Sequence, residues 1–463
     1  MKLRSGTKSS LADFGLVVAG LAITALYAGW GRPLWIDEFV QFAMGGMDLG
    51  EALQTIWNTT GGRGVNWGQT GIYYFLDYLL GSLFGASLFA VRLPSIVAAF
   101  MMLMSAILFL RLCGISRVWQ AVMLLAFVGQ SSLMYYTGEA RPYMPMASFT
   151  VAALAYYRFP LYRRRSWFAR GIGVYALIIG SVFHPYWIIF LGVVLVFSIW
   201  CAVRSGTLTR SWSAFARFLN PALLVPGVAL YFLVAATTWL KSRTSMSYDP
   251  FEFVGSTAGW VRTMFGTHLP ILYLPPIFEI PYRAPQLEWL NPTRVLALVV
   301  LLLMTVLPIA SIRLRRSIAP PAVLLWAGVM TTVVLSVLSY SQGYWIVQRQ
   351  WLGGISLVTV AVVWFFAELT QSAALRRSWL WKVPGILFVL VVASSAFTAI
   401  SGQLSGISNR GANWASIEAE DRSRAELVEY TRSTGDWVYL ANVNIARGGG
   451  VWREVAGYYG VGP

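Results

Sequence analysis

A chain of 463 residues that is 57% hydrophobic and only 12% charged has roughly half the charge of an average soluble domain. That deficit excludes an ordinary soluble enzyme. The net charge of +16 sits in short Lys and Arg clusters between apolar runs rather than along one face, so it records membrane topology and no nucleic-acid surface is expected.

Lys2, Arg4 and Lys8 precede the apolar run Leu11–Trp30, which approaches the ~20 residues needed to cross a bilayer. A cleaved secretory signal begins in the same way, but Tyr27-Ala28-Gly29-Trp30 has no convincing small-residue cleavage pattern, so an uncleaved first helix is expected. With Met1–Ser10 cytoplasmic, the positive-inside rule places the basic clusters Arg111–Arg117, Arg158–Arg170, Arg204–Arg217, Arg313–Arg316 and Arg376–Lys382 on the cytoplasmic side. Spans then fall near 92–110, 118–136, 142–158, 171–184, 187–203, 219–240, 293–311, 321–340, 350–369 and 384–402. With the first helix this predicts an all-α polytopic protein of about 11 transmembrane helices.

Parity closes only if Gly71–Ala90 does not cross. It reads as an amphipathic helix at the outer interface, with Tyr73, Tyr74 and Tyr78 as aromatic anchors and Asp77 arguing against a full span. Gly171–Arg204 is read as two helices turning at His184-Pro185, because a single span would put every later basic cluster outside. All acidic residues except Asp13 and Glu368 then lie on the outer side. The expected organisation is a transmembrane domain over 1–402, with long outer loops at 31–91 and 241–291, followed by a small outer tail at 403–463. The tail reads as a helix around Arg424–Arg432 and a strand at Trp437–Val443, a small α/β unit. Cys113 and Cys201 fall near predicted cytoplasmic helix ends, where neither a disulfide framework nor a thiolate metal site is supported.

Four places could carry chemistry. Asp37 and Glu38 follow the first helix directly. One carboxylate could accept the proton of an attacking hydroxyl while the other holds structure; the alternative is a pair of acids at a helix N-terminus, favoured by the dipole. Glu139-Ala140-Arg141-Pro142-Tyr143 forms an outer turn set by proline; Arg141 there suits bidentate phosphate contact, or else snorkels to headgroups or pairs with Glu139. His184 stands at the next outer turn as a structural hydrogen-bonding group or a ligand contact. Arg349 opens a late span and could join Arg141 in stabilising charge on a departing phosphate. Metal-ligand spacing is absent around His184 and His268.

These residues, in order, resemble the C-type glycosyltransferases (GT-C), and within them the bacterial relatives of dolichyl-phosphate-mannose protein mannosyltransferases and lipid A aminoarabinose transferases. The resemblance runs from Trp35 to about Leu369. It is carried by Asp37-Glu38, Tyr73-Tyr74, Arg92-Leu93-Pro94-Ser95, Glu139 to Tyr143, His184-Pro185-Tyr186 and Arg349. It implies an inverting transfer from a polyprenyl-phospho-sugar donor, with Asp37 as base, Glu38 beside it, and Arg141, Tyr143, Arg349 and His184 on the phosphate side. Gln69, Tyr73, Tyr74, Arg92 and Glu139 are implied as acceptor or carrier contacts. The expected partners are a membrane lipid carrier and a glycan, lipid A or protein acceptor, in a bacterial inner membrane with the active site on the periplasmic face. Relatives read His-Pro-Pro-Leu-Tyr-Tyr where this chain has Gln69-Thr70-Gly71-Ile72-Tyr73-Tyr74, and Tyr where it has Gln350. The first departure removes a positive or metal-binding group; a divalent metal stays open without support from ligand spacing. Two other readings compete: a flippase or transporter of lipid-linked sugar, against which stands the lack of an internal repeat, and an inactive relative that binds lipid.

Overall fold

The computed structural model describes residues 15, 22, 41, 44–58, 70–85, 88–159, 167–208, 211–236, 292–311, 315–342, 348–371 and 382–411. Every regular element among them is helical. In chain order these are α1 (Leu49–Asn58), α2 (Ile72–Phe84), α3 (Leu88–Leu112), α4 (Arg117–Gly129), α5 (Ser131–Thr137), α6 (Tyr143–Arg158), α7 (Trp167–Phe183), α8 (Trp187–Arg204), α9 (Trp212–Leu219), α10 (Pro221–Leu230), α11 (Pro292–Ala310), α12 (Arg315–Gln342), α13 (Leu352–Gln371) and α14 (Lys382–Gly411).

Two helices form the axis of the bundle. Every residue of α6 from Tyr143 to Tyr157 is buried, as is every residue of α13 from Leu352 to Ala367, and a helix apolar all round is one enclosed all round. The few hydroxyls of α13 turn back on their own helix: Ser356 donates to the Gly353 carbonyl at 2.7 Å and Thr359 to that of Ile355 at 2.8 Å. Small residues allow close approach, with Gly354 against Gly328 and Thr331 of α12 and Gly353 against the ring of Phe190 on α8. Helices α3, α4, α8, α12 and α14 pack around this pair. Their outward faces carry exposed Val97, Val196, Val337 and Phe397, apolar surface of the kind a bilayer covers.

Among the described residues four helices are long and apolar enough to cross a membrane: 89–112, 187–204, 317–335 and 352–371. A fifth crossing comes from α9 and α10 if that bent pair is one span. The bend of 54° falls at Asn220, which takes a left-handed backbone (φ 52°) ahead of Pro221. Asparagine tolerates that conformation, and proline is suited to begin a helix rather than continue one. Shorter apolar helices lie at 72–84, 117–129, 167–183, 299–310 and 382–397.

Several expectations change in detail. The predicted span 118–136 is broken: Gln130 is extended (φ −85°, ψ 101°) between α4 and α5, and its side-chain carbonyl accepts the Ser132 amide at 3.2 Å. The span predicted at 92–110 begins earlier, at Leu88. Tyr73 and Tyr74 are buried within the protein instead of anchoring α2 in headgroups, and Asp77 is 0% exposed rather than facing the interface. Adjacent helical side chains diverge, so Tyr73 enters the main core while Tyr74 packs with Met44 and Ala52 of the preceding segment. The turn at His184-Pro185 lies where expected, between Phe183 and Trp187. The first predicted span, the loop 241–291 and the tail beyond residue 411 lie outside the described residues.

The bundle end bearing Arg111, Arg117, Arg158 and Arg204 is closed by side chains. The Arg158 guanidinium lies 6.0 Å from the Trp364 ring centre, and the Trp364 indole donates to Glu368 at 3.2 Å. Gln371 donates to Ser116 at 3.0 Å, tying α13 to the turn before α4. Just beyond α3, burial pushes the Cys113 thiol up to about 12, outweighing the opposing pull of Arg158. Alkylation needs the thiolate, so iodoacetamide at pH 8 should leave Cys113 unlabelled in the folded protein and label it after unfolding. Rapid labelling of the folded protein, read by peptide mass, would mean that this end stands open.

Candidate functional site

At the other end of the bundle, segments far apart in sequence are joined by hydrogen bonds. Helix α2 is fixed first: Thr70 donates to the Phe183 carbonyl at 3.1 Å, tying its start to the end of α7. At the second residue of α2, the Tyr73 hydroxyl lies 2.8 Å from that of Ser95. Ser95 in turn reaches the carbonyls of Glu139 (2.6 Å) and Arg141 (3.2 Å). The short contact is satisfied when Tyr73 donates to Ser95 and Ser95 donates to Glu139. A single serine on α3 thereby connects α2 to the turn between α5 and α6.

That turn gathers charge. The Glu139 carbonyl also accepts the Arg141 amide at 2.8 Å, which curls 139–141 tightly before Pro142 starts α6. Glu139, Arg141 and, on α3, Arg92 are all buried. Buried charges are costly unless paired or solvated by fixed dipoles, and the buried set here holds Arg92, Arg141 and Glu139, with Asp77 one turn beyond Tyr73 on α2.

His184 completes the site from α7. Its backbone is extended (φ −152°, ψ 138°), its carbonyl accepts the Trp187 amide at 3.0 Å, and its Nδ1 accepts the Tyr186 amide at 3.2 Å. A nitrogen accepting an N–H is unprotonated, so the neutral ring carries its proton on Nε2. The imidazole lies 5.6 Å from the Tyr143 ring and 4.9 Å from that of Tyr186, centre to centre. Two π-helical turns support it. Trp187 donates to the Ala176 carbonyl in the π turn Val174–Ile179 at 2.9 Å. Tyr231, opening the π turn Tyr231–Ala236, donates to the Pro185 carbonyl at 2.8 Å. Such turns are frequent at functional sites.

Of the residues singled out in the sequence, the structure therefore groups Tyr73, Glu139, Arg141, Tyr143 and His184 at one end, with Arg92 on the opening turns of α3. Tyr74 faces the opposite side of α2. Arg349 lies on the 3-10 turn Gln348–Trp351 that leads into α13. Gly353, on the next turn, meets Phe190 close behind His184, so the Arg349 backbone comes to the same end. Its side chain, like Asp37, Glu38 and Gln69, lies outside the described residues. Among those described, no group of three or more His, Cys, Asp or Glu could hold a metal ion. Ser95 and Thr70 carry more of the geometry than the sequence suggested; the only signal for Ser95 was its place in Arg92-Leu93-Pro94-Ser95.

The bundle and its buried polar end define a polytopic α-helical membrane protein. No protein-family model and no curated protein matches the chain. Among solved structures it is similar to the crystal structure of ArnT from Cupriavidus metallidurans bound to undecaprenyl phosphate, at 15% identity over 80% of each chain with a TM-score of 0.35. The same protein in its apo state is matched at 13% identity over 83% of this chain and 77% of that one, with a TM-score of 0.36. Likeness at this level carries no residue role from one chain to the other.

Ser95→Ala should destabilise the protein by about 1–3 kcal/mol, because it strips a buried acceptor and donor of their shared partner, whereas Ser95→Thr should retain most of the wild-type Tm in detergent. At His184, Asn can offer its Oδ1 to the Tyr186 amide as the ring Nδ1 does. His184→Asn should therefore melt above His184→Gln; the reverse order would remove the turn-holding role of Nδ1.

Proposed function

We propose that the chain is a membrane glycosyltransferase that moves a sugar from a polyprenyl-phosphate-linked donor to a hydroxyl or phosphate of an extracytoplasmic acceptor, with inversion. The supporting observation is the convergence of Tyr73, Ser95, the Glu139–Tyr143 turn, His184 and the backbone of Arg349 at the end of the bundle opposite the basic turns. With the basic turns cytoplasmic, that end faces the outside, at the depth where a lipid phosphate lies. The ordered motifs shared with GT-C enzymes point the same way.

In this reading the acceptor oxygen attacks the anomeric carbon from the face opposite the phosphate, and the bond from that carbon to the phosphate oxygen breaks. Asp37 takes the acceptor proton and polyprenyl phosphate departs. Arg141 and Arg349 stabilise the charge that grows on the leaving phosphate, the kind of preorganised electrostatics that dominates many active sites. His184, with its proton on Nε2, is suited to donate to a phosphate oxygen, and Tyr143 holds the ring beside it. Phosphate is already a good leaving group, so positioning and charge carry the chemistry.

The test combines purified protein, a panel of polyprenyl phospho-sugars and membrane-extracted acceptors, with products weighed by mass spectrometry. Wild type should release free polyprenyl phosphate and an inverted glycoside. Asp37→Asn should lower turnover by about 10²–10⁴-fold, the range for a lost general base, while still binding donor. A flippase would carry intact phospho-sugar across liposomes without releasing carrier, and that result would sink the proposal.

A further inference from the structure

At the basic end of the bundle, charge is of one sign over a long stretch. No Asp or Glu occurs between Glu139 and Asp249, and eight arginines fall from Arg158 to Arg217. Two of them, Arg170 and Arg217, stand on turns that share one anchor. The Tyr156 side chain, buried near the end of α6, packs so closely on Gly173 of α7 that a Cβ there would collide, and its hydroxyl accepts the Asn220 side-chain amide at 2.6 Å. Arg170 precedes Gly173 by three residues and Arg217 precedes Asn220 by three, about one helical turn in each case. Gly173 also meets Leu223 on the first turn of α10, so both arginine-bearing turns are held to one patch.

That patch carries exposed indoles beside its guanidiniums. Trp167 and Trp212 are each 84% exposed, and Phe168, Arg170 and Arg217 are exposed with them. Helix α9 is amphipathic: Phe218 is buried beside Tyr157, ring centres 5.6 Å apart, while Trp212, Ser213 and Arg217 are exposed. The 54° bend at Asn220 keeps α9 from following the direction of α10. Water is a poor surround for two indoles, and hydrocarbon is a poor one for guanidiniums. The headgroup zone suits both, since indoles rest at its apolar boundary and arginine pairs with its phosphates. A zwitterionic lipid brings its own cation to that zone, so a surface with arginines and no acid is complemented by a lipid of net negative charge. We infer that α9 and the first turn of α7 form a docking surface for anionic phospholipid headgroups, with Arg170 and Arg217 on the phosphate and Trp167 and Trp212 at the level of the glycerol. This surface lies apart from the candidate site, and the inference does not depend on the glycosyltransferase reading.

The test titrates the purified full chain, in neutral detergent, with dioleoyl phosphatidylglycerol or dioleoyl phosphatidylcholine and counts bound lipid by native mass spectrometry. Wild type should retain phosphatidylglycerol in preference to phosphatidylcholine. The double variant Arg170→Gln/Arg217→Gln should bind phosphatidylglycerol about tenfold more weakly and phosphatidylcholine as before, whereas Arg170→Lys/Arg217→Lys should keep most of the binding. Arg117→Gln/Lys382→Gln removes the same charge from exposed positions on α4 and α14 and should behave as wild type. Trp167→Ala/Trp212→Ala should also weaken phosphatidylglycerol, and inorganic phosphate should not displace it. Equal retention of the two lipids by wild type would overturn the inference. So would equal losses in the two Gln pairs, which would leave only net-charge attraction, or displacement by inorganic phosphate, which would leave only a small-anion site. All these side chains are exposed, so the lipid-free Tm of each variant should match wild type; a Tm lowered alike in the Gln and Lys pairs would assign the two arginines to structure and sink the proposal.

Discussion

A hydrocarbon surround offers no hydrogen-bond partner, so every polar group carried into the bundle must find one inside the protein. The Ser95 hydroxyl turns that constraint into architecture. It stands within reach of Tyr73 and of two backbone carbonyls, and these contacts leave α2, α3 and the Glu139–Arg141 turn little freedom to drift apart. The charged side chains of the turn are therefore held at one depth by a neutral relay. Their position does not depend on ion pairs alone, which are costly to assemble in a low dielectric.

The same constraint explains where the helices deviate from regularity. Helix α7 widens into a π turn where it meets α10, and Gly227 sits flat against the Leu177 carbonyl there. The groups nearest the two π turns make side-chain bonds, from Trp187 to Ala176 and from Tyr231 to Pro185. Both bonds end on the turn that presents His184. Irregular backbone in this bundle serves to aim side chains near the polar end.

Much of this architecture was legible in the sequence. Apolar run length and the spacing of basic clusters located the helices, and the His184-Pro185 turn followed from charge parity, because those signals are local and additive along the chain. The break at Gln130 lies in Gly129-Gln130-Ser131-Ser132, a polar interruption that charge parity does not register, because the basic clusters require one crossing there whether the helix is continuous or broken. Tyr73 and Tyr74 read as headgroup anchors because an aromatic with a polar tip suits both a membrane interface and a core with a hydroxyl waiting; only the packed helices decide for the core. Ser95 becomes visible only once α2 and α3 are side by side. For the site, motif order named Glu139, Arg141, Tyr143 and His184, and their meeting at one end depended on contacts that spacing cannot encode.

The opposite end is held by large, flat contacts. Phe366 and Phe388 stack at 4.4 Å, with Trp119 6.3 Å beyond. Phe109 meets Trp364 edge-on at 5.1 Å. Rings stacked in this way hold α4, α13 and α14 together over a broad apolar area, so the basic end resists separation more than the hydrogen-bonded polar end does.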